Sequence, residues 1–361
     1  MHLTYFTLAN IRSVAQATIE PSAQFNLITG DNGAGKTSIL EALHLLSNGK
    51  SFRGRVGEGL IQVGRPHLEI YARWASRSGL NRQLGLRHAG SEWEGRIDGQ
   101  NCALLSDLCT ALAAVTFEPG SHALIDGRSD QRRRMMDWGL FHVEPAFIQL
   151  WRRWSRAHKQ RNALLKQRTH ATAQMEAWEA ELAQSGEAVT RLRADYIDAL
   201  APYVSQWADR LLPELGEAVL RFAPGWKRQS VSLEDALLVQ RARDLAAGFT
   251  TAGPHRADWV VEFAQRSQGE RLSRGQTKLA ALIVILAQAE YYAHQNGEWP
   301  VVLLDDLASE LDIAHRAAVL SALAEVGAQV FVTGTTAEDL SFPAAAQVRV
   351  FHVEHGVIER G

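Results

Sequence analysis

The chain has 361 residues, 46% hydrophobic and 22% charged, with a formal net charge of −2. That length allows two domains, or one large domain with an insertion, and the near-neutral balance confines any nucleic-acid site to a local patch. No basic-then-apolar secretion signal opens the sequence, and the longest apolar run, Leu279–Ala287, is far short of the ~20 residues that cross a bilayer.

Two cysteines, Cys102 and Cys109, fit no metal or redox spacing, and the histidines include no H-E-x-x-H pair. Reduced thiols, no zinc and a cytoplasmic location are therefore expected.

Alternating apolar residues predict a strand over 2–8, ending at Asn10-Ile11-Arg12, and a second over 14–20, stopped by Pro21-Ser22. A third (Phe25, Leu27, Ile28) enters the turn Gly30-Asp31-Asn32-Gly33-Ala34-Gly35-Lys36-Thr37-Ser38, and a helix follows over 36–47. The turn fits G-x-x-x-x-G-K-[ST] at Gly30, Gly35, Lys36 and Thr37. Glycines let successive backbone N–H groups converge on an anion, and the helix start adds its positive end. Lys36 is then placed to reach β- and γ-phosphates, and the Thr37 hydroxyl to ligate Mg²⁺. The strand–turn–helix context separates this pattern from a chance glycine-rich turn, so a nucleoside triphosphate is expected here.

An irregular loop over 49–64 contains Lys50-Ser51-Phe52-Arg53. Antiparallel strands are expected at 67–75, 81–88 and 92–98, with Asp98-Gly99 as a hairpin turn. A buried helix over 102–113 and a short strand, Val115–Phe117, close at Pro119-Gly120.

From about 126 to 248 the chain turns polar and helical. Met175, Trp178, Leu182, Val189, Leu192, Tyr196, Ala199 and Tyr203 form one apolar seam, which Ser185-Gly186 could interrupt and Pro202 and Pro213 limit. The seam suits a compact arm and is too short for an extended rod. Strand pattern returns at 259–263, followed by a helix (277–293), a strand (301–304), a helix (312–326), a strand (329–333) and a hairpin (347–359) turning at His355-Gly356. The expected fold is α/β, a mostly parallel sheet with helical cover. Residues 1–125 and 249–361 would form the core, with 126–248 as an inserted helical lobe.

Val301-Val-Leu-Leu304 delivers two acids, Asp305 and Asp306. A carboxylate at the end of an apolar strand can hold Mg²⁺ beside phosphates, which suits Asp305, while Asp306 stands where a general base orients water. Leu272-Ser273-Arg274-Gly275-Gln276 opens the helix before that strand. Ser273 can serve as an ordinary N-cap, but capping explains neither Gly275 nor the following Gln276-x-Lys278.

The order of phosphate loop, S-x-G-Q signature and acidic strand with Ser309-Glu310-Leu311-Asp312 resembles the ABC-type ATPases of chromosome maintenance. Within them the chain resembles the RecF family. Asn10-Ile11-Arg12, Lys50-Ser51-Phe52-Arg53, Phe117-Glu-Pro119, Gly127 with Arg132-Arg133, Gln160-Arg161-Asn162-x-Leu164-Leu165 and Gly253-Pro254-His255-Arg256-x-Asp258 carry that likeness.

The resemblance implies an ABC-type P-loop ATPase core, a mixed sheet with helices, that binds ATP and Mg²⁺ with Arg12 among the ATP contacts. It implies that Ser273, Arg274, Gly275 and Gln276 of one copy complete the ATP site of another in a homodimer, with 308–312 lining the same contact. It further implies a clamp at single-strand/double-strand junctions or gaps in DNA. RecR and RecO would be partners, RecA loading and SOS induction would follow, and hydrolysis would be weak and DNA-dependent. Slow turnover fits two departures. Asp306 replaces the glutamate of transporter-type relatives, and Thr333-Gly334-Thr335-Thr336 stands where they carry a histidine. No glutamine lies in 117–121, where a metal-contacting one is sought.

Residues 128–168 hold eleven Lys or Arg against three acids, a local charge of +8. Arg152, Arg156 and Lys159 share one helical face opposite Phe147, Trp151 and Trp154. With Arg132 and Arg133 they are the expected DNA contacts, largely independent of base sequence. A basic face can equally be plain solvated surface. Arg132–Arg134 could instead pair with Asp130 and Asp137, and the tryptophans are expected to pack rather than stack on bases. The competing class is the ATPase subunit of a membrane transporter, which needs no such basic run. A nucleotide kinase would leave the signature loop without a role, and the length excludes a long-arm repair ATPase.

Overall fold

The computed structural model describes residues 1–54, 59–76, 79–90, 92–167, 172–265, 271–338 and 340–360. The chain divides into two units, one of Met1–His122, Arg210–Leu212 and Arg271–Gly361, the other of Ala123–Asp209 and Pro213–Glu270.

The first unit begins with strands β1 (His2–Ile11), β2 (Val14–Ile19) and β3 (Phe25–Thr29) and helix α1 (Lys36–Asn48). Strands β4 (Leu68–Ala75), β5 (Asn81–Ala89), β6 (Glu92–Ile97) and β7 (Gln100–Cys102) precede the one-turn α2 (Leu105–Cys109) and β8 (Ala114–Phe117). In the second unit lie α3 (Ala123–Asp126), α4 (Ser129–Val143), α5 (Phe147–Gln167), α6 (Thr172–Leu211, whose last two residues belong to the first unit), β9 (Ala218–Ala223), α7 (Leu233–Ala247) and β10 (Asp258–Phe263). The first unit resumes with α8 (Arg274–Asn296), β11 (Val301–Leu304), α9 (Leu307–Glu310), α10 (Ile313–Glu325), β12 (Val330–Thr333), β13 (Val348–Glu354) and β14 (Val357–Arg360).

Two six-stranded sheets build the first unit. One, ordered β14-β13-β3-β12-β11-β8, is parallel from β13 to β8 and antiparallel at its β14 edge. Its strands β3, β11 and β12 are buried at every position, which explains their largely apolar sequence, broken only by the buried Asn26, Thr29 and Thr333. The other, β2-β1-β4-β5-β6-β7, is antiparallel throughout, and β4 buries alternate residues as its pattern requires. One apolar cluster joins both sheets to α1, through residues such as Phe6, Ile28, Leu43, Ile70 and Leu303. The core is thus a mixed α/β sheet with a second, antiparallel layer.

Three expectations change. The helix expected at 102–113 shrinks to α2, because the Asp98-Gly99 turn (φ 50° and 84°) returns the chain as β7 against β6. The second unit takes in Ala123–Asp209 and Pro213–Glu270 rather than 126–248, since β10 pairs antiparallel with β9 instead of joining the core sheet. Helix α6 is unbroken at Ser185-Gly186 and continues through Pro202. A Cβ on Gly186 would lie 2.5 Å from Leu233 Cδ2, so this glycine permits close packing of α7 rather than ending the helix. Pro202 is exposed, as is Asp198, whose carbonyl loses its helical donor where water can replace it.

Candidate nucleotide site and nucleic-acid face

The phosphate loop leaves the carboxyl end of β3, between its parallel neighbours β12 and β13, where open α/β sheets collect ligands. Its glycines serve different ends. Gly30 has φ 142°, and a Cβ there would lie 2.2 Å from the Val353 carbonyl oxygen of β13. Gly35, at φ 119°, would place a Cβ 2.8 Å from Val14 Cγ2, whereas Gly33, at φ 84°, has open space and needs glycine for conformation alone. The closing hairpin braces the loop through Gly356 N–H, which donates to Ala34 O at 3.0 Å. Lys36 Nζ donates to Gly30 O (2.5 Å) and Asp31 O (3.0 Å). Asp31, Asn32 and Gly33 are exposed, while Ser38 is buried and its N–H donates to Gly35 O.

Asp305 is carried to this loop by β11. Thr37 Oγ1 donates to Asp305 Oδ1 at 3.0 Å across 268 positions of sequence. Burial raises the Asp305 pKa, while hydrogen bonds from Thr333 and Thr37 and the positive charge of Arg53 oppose that rise. Among the described residues no group of three or more His, Cys, Asp or Glu could hold an ion. One hydroxyl and one buried carboxylate form the partial oxygen set that suits Mg²⁺, an ion that keeps waters and phosphate oxygens for its remaining positions.

Thr333 was expected only as a departure from histidine. The β11–β12 register pairs Leu304 with Val332, which brings Thr333 beside Asp305. Its hydroxyl donates to Asp305 Oδ1 at 2.8 Å and accepts the Asp306 N–H at 2.8 Å. A polar residue ending a wholly apolar strand was the available signal. Asp306 itself has φ 53° and ψ 41°, a left-handed backbone costing a non-glycine residue about 1–2 kcal/mol. Its carboxylate accepts from Ser309 Oγ at 2.8 Å.

Two further residues, quoted above only within segments that carry the family likeness, stand close to the Asp305 carboxylate. Glu118 feels Asp305 and Glu310, and burial first and these acids second raise its pKa against the Gly120 N–H bond (2.6 Å). Arg53 is exposed and close enough to Asp305 to lower its pKa. Its loop is fixed from behind, for Ser51 Oγ donates to the buried Glu41 carboxylate and the Phe52 ring meets the His44 ring edge-on at 5.1 Å. Arg12 forks onto the same Glu41 (3.0 and 2.8 Å) and donates to Gly59 O. That bond to a buried carboxylate raises the Arg12 pKa.

The signature residues form a separate feature at the start of α8. Ser273 Oγ accepts from Gln276 N–H, and Gln276 Oε1 accepts from Ser273 N–H, a complete capping box. Ser273, Arg274 and Gly275 are exposed, and a Cβ on Gly275 would meet nothing within 4 Å. Among the described residues neither packing nor backbone geometry requires glycine there. Lys278 pairs with Glu310 at 2.9 Å, tying this helix start to α9.

On α5, spacings of four and three put Arg152, Arg156 and Lys159 on one face. Arg156 and Lys159 are exposed, Arg152 half-buried, and the Arg156 guanidinium lies 5.8 Å from the Trp178 ring centroid. Trp154 is buried and Trp151 donates to Asp137 (3.2 Å), so both pack internally. Not every cation of the basic run faces water. Arg161 is fully buried, and Arg132 is buried with a fork onto Asp258 (2.6 and 2.9 Å), which removes Arg132 from the nucleic-acid face. Arg133 donates to Ala257 O at 2.7 Å. Only Arg134 makes the expected side-chain hydrogen bond to Asp130, while Asp137 pairs with Arg193. Arg168 lies outside the described residues.

With this geometry in hand, comparison with known proteins is informative. Residues 2–359 match the family model described as RecF/RecN/SMC N terminal domain. The chain is 52% identical over 364 residues to the DNA replication and repair protein RecF of Xanthomonas axonopodis pv. citri (strain 306), covering 100% of this chain and 99% of that one. Its backbone is similar to that of the recombination mediator protein RecF-ATPrS of the RecFOR pathway, with a TM-score of 0.88 at 23% identity over 99% of this chain and 98% of the other. A SmcHead bound to the C-winged helix domain of ScpA is also similar, with a TM-score of 0.60 at 15% identity over 100% of this chain and 97% of that one. Both structures share the ABC-type ATPase fold.

Proposed function

This chain belongs to the RecF family of DNA replication and repair proteins, and we propose that it is an ATP-gated, two-copy clamp on DNA. The observation that carries this reading is the helix start at Ser273–Gly275. It is exposed, and at Gly275 it is free of side-chain bulk, although among the described residues nothing demands a glycine there. A surface of that kind suits close approach by a second copy whose phosphate loop holds the triphosphate.

In this reading the N–H groups of Gly33, Gly35 and Lys36 cradle phosphate, Lys36 reaches the terminal phosphates, and Thr37 and Asp305 hold the ion. Arg12 and Arg53 add positive charge near the same loop. Thr37 and Asp305 would hold Mg²⁺, which would supply positive charge to offset that of the terminal phosphates. Asp306 orients the attacking water, with Thr333 fixing the backbone that presents it. Ser273 and Gly275 of the second copy complete the site at the γ-phosphate, with Arg274 and Gln276 alongside. Contact energy at that phosphate becomes association energy between copies, and hydrolysis removes it. The aspartate at 306 and the absence of a histidine after β12 support slow turnover, suited to a switch.

The paired copies would grip the phosphate backbone of gapped or junction DNA through Arg152, Arg156 and Lys159, with Arg133 at the margin. By family resemblance RecR and RecO would be partners, RecA loading and SOS induction the outcome, and the cytoplasm the location. The transporter-subunit alternative is not favoured by the full-length likeness to RecF. Fluorescence anisotropy with gapped DNA tests the reading. Affinity should fall steeply with salt, and Arg152→Glu with Arg156→Glu should weaken it at moderate salt. Unchanged affinity would remove this face.

A further inference from the structure

The stretch Thr250–Asp258, which contains Gly253-Pro254-His255-Arg256, is not among the residues of the nucleotide site described above, and a dense set of hydrogen bonds holds it within the second unit. Arg161 donates to Thr250 Oγ1 (2.9 Å), Arg193 to Pro254 O (2.7 Å), Arg133 to Ala257 O (2.7 Å), and Arg132 forks onto Asp258. Asn162 accepts from Thr250 N–H and Asp244 from Thr251 N–H. Gly225 also presses so close that a Cβ there would lie 2.4 Å from Gly253 O. Buried ionic groups are costly to assemble and are best repaid where one rigid geometry is needed.

What this clamped loop displays is Arg256. It is exposed, and its guanidinium lies 5.6 Å from the centroid of the Phe249 ring, itself 43% exposed. Among the described residues no carboxylate pairs with it. The neighbouring His255 ring stacks on His158 at 4.3 Å, and His158 belongs to α5, the helix that carries Arg156 and Lys159. Burial, with Arg161 and Arg256 nearby, pushes the His158 pKa down to about 4. Burial likewise pushes the loop's own His255 down to about 3, so at neutral pH the loop's outward charge is that of the exposed arginine.

We propose that Arg256 is a phosphate contact for nucleic acid, so that the cationic stripe of α5 continues onto a second, pre-organised element. The inference rests on the DNA-binding reading above. An unpaired guanidinium fixed by a ring beneath it loses little freedom on binding and can offer two donors to one phosphate.

The test uses the full chain with ATP, Mg²⁺ and a fluorescein-labelled gapped duplex, read by anisotropy at several salt concentrations. Arg256→Gln should weaken binding roughly five- to tenfold at about 0.1 M salt and lower the slope of log affinity against log salt by about one. Arg256→Lys should keep the wild-type slope, and neither variant should shift the unfolding midpoint or ATP hydrolysis without DNA. Wild-type slope and affinity in Arg256→Gln, alongside weakened binding by Arg152→Glu/Arg156→Glu, would overturn this proposal while leaving the DNA reading intact. Equal losses in both Arg256 variants, with a lowered unfolding midpoint, would assign Arg256 a structural role and likewise overturn it. A wild-type protein that fails to bind DNA would sink both.

Discussion

Replacing Arg161 by methionine tests whether the basic run is partly a scaffold. Arg161 is 0% exposed and pairs with Glu179 (2.9 Å) and Asp244 (2.7 Å). Methionine fills similar space but strands two buried carboxylates. Breaking a buried pair by removing one partner costs about 3–5 kcal/mol. The lower end is expected here, since Glu179 keeps Arg241 and Asp244 keeps Thr251. Arg153 is the internal control, because its pairing with Glu181 (2.8 Å) is chemically alike but half exposed. Exposed pairs contribute about 0–1 kcal/mol, so Arg153→Met should change stability little. Urea unfolding followed by tryptophan fluorescence and circular dichroism would measure both, read on the transition of the inserted unit if two are resolved. Adding Glu179→Gln and Asp244→Asn to Arg161→Met should recover much of the loss, because the stranded charges are gone. Equal losses for Arg161→Met and Arg153→Met, or no loss for either, would refute the assignment of Arg161 to the interior scaffold.

Asp306→Asn should slow ATP hydrolysis about 10²- to 10⁴-fold while ATP still binds, because asparagine tolerates the left-handed backbone but cannot take a proton. A steady-state assay returning wild-type turnover would exclude Asp306 as the base. Stability should also fall with acidification between pH 7.5 and 5. Burial depresses His44 and His158 to about 4 and His255 to about 3, against an ordinary 6.5. The unfolded chain therefore takes up protons first as pH drops, with little effect above about pH 7.5 and a penalty that grows as pH falls through 6.5. Each imidazole should cost roughly 1–2 kcal/mol at pH 5. Denaturant midpoints that stay level across this range would contradict the burial of these rings.

Much of the candidate nucleotide site is legible in the residues alone, for a physical reason. A phosphate loop is contiguous, so its glycines, lysine and threonine stand in one short pattern, and a fully buried strand such as β11 reads as an unbroken apolar run. What escaped depends on pairing between distant segments. Thr333 reaches Asp305 only through strand register, and Arg53 through a loop held by Glu41 and His44. The insertion boundary was misjudged because β9 and β10 pair across α7, which no local pattern reveals. Counting charges treated Arg132 and Arg161 as surface, whereas their partners Asp258 and Asp244 lie 126 and 83 positions away. Ser185-Gly186 looked like a helix break because glycine destabilises an isolated helix, but here its small size is used for packing.

Sedimentation of the full chain with Mg²⁺ and a slowly hydrolysed ATP analogue is the most direct measurement, run on wild type, Lys36→Ala and Ser273→Arg. Wild type should double in mass, Lys36→Ala should neither bind nucleotide nor pair, and Ser273→Arg should bind nucleotide yet stay single. A saturated wild type that remains single, or a Ser273→Arg protein that pairs as readily as wild type, would contradict a clamp closed by the signature loop of a second copy.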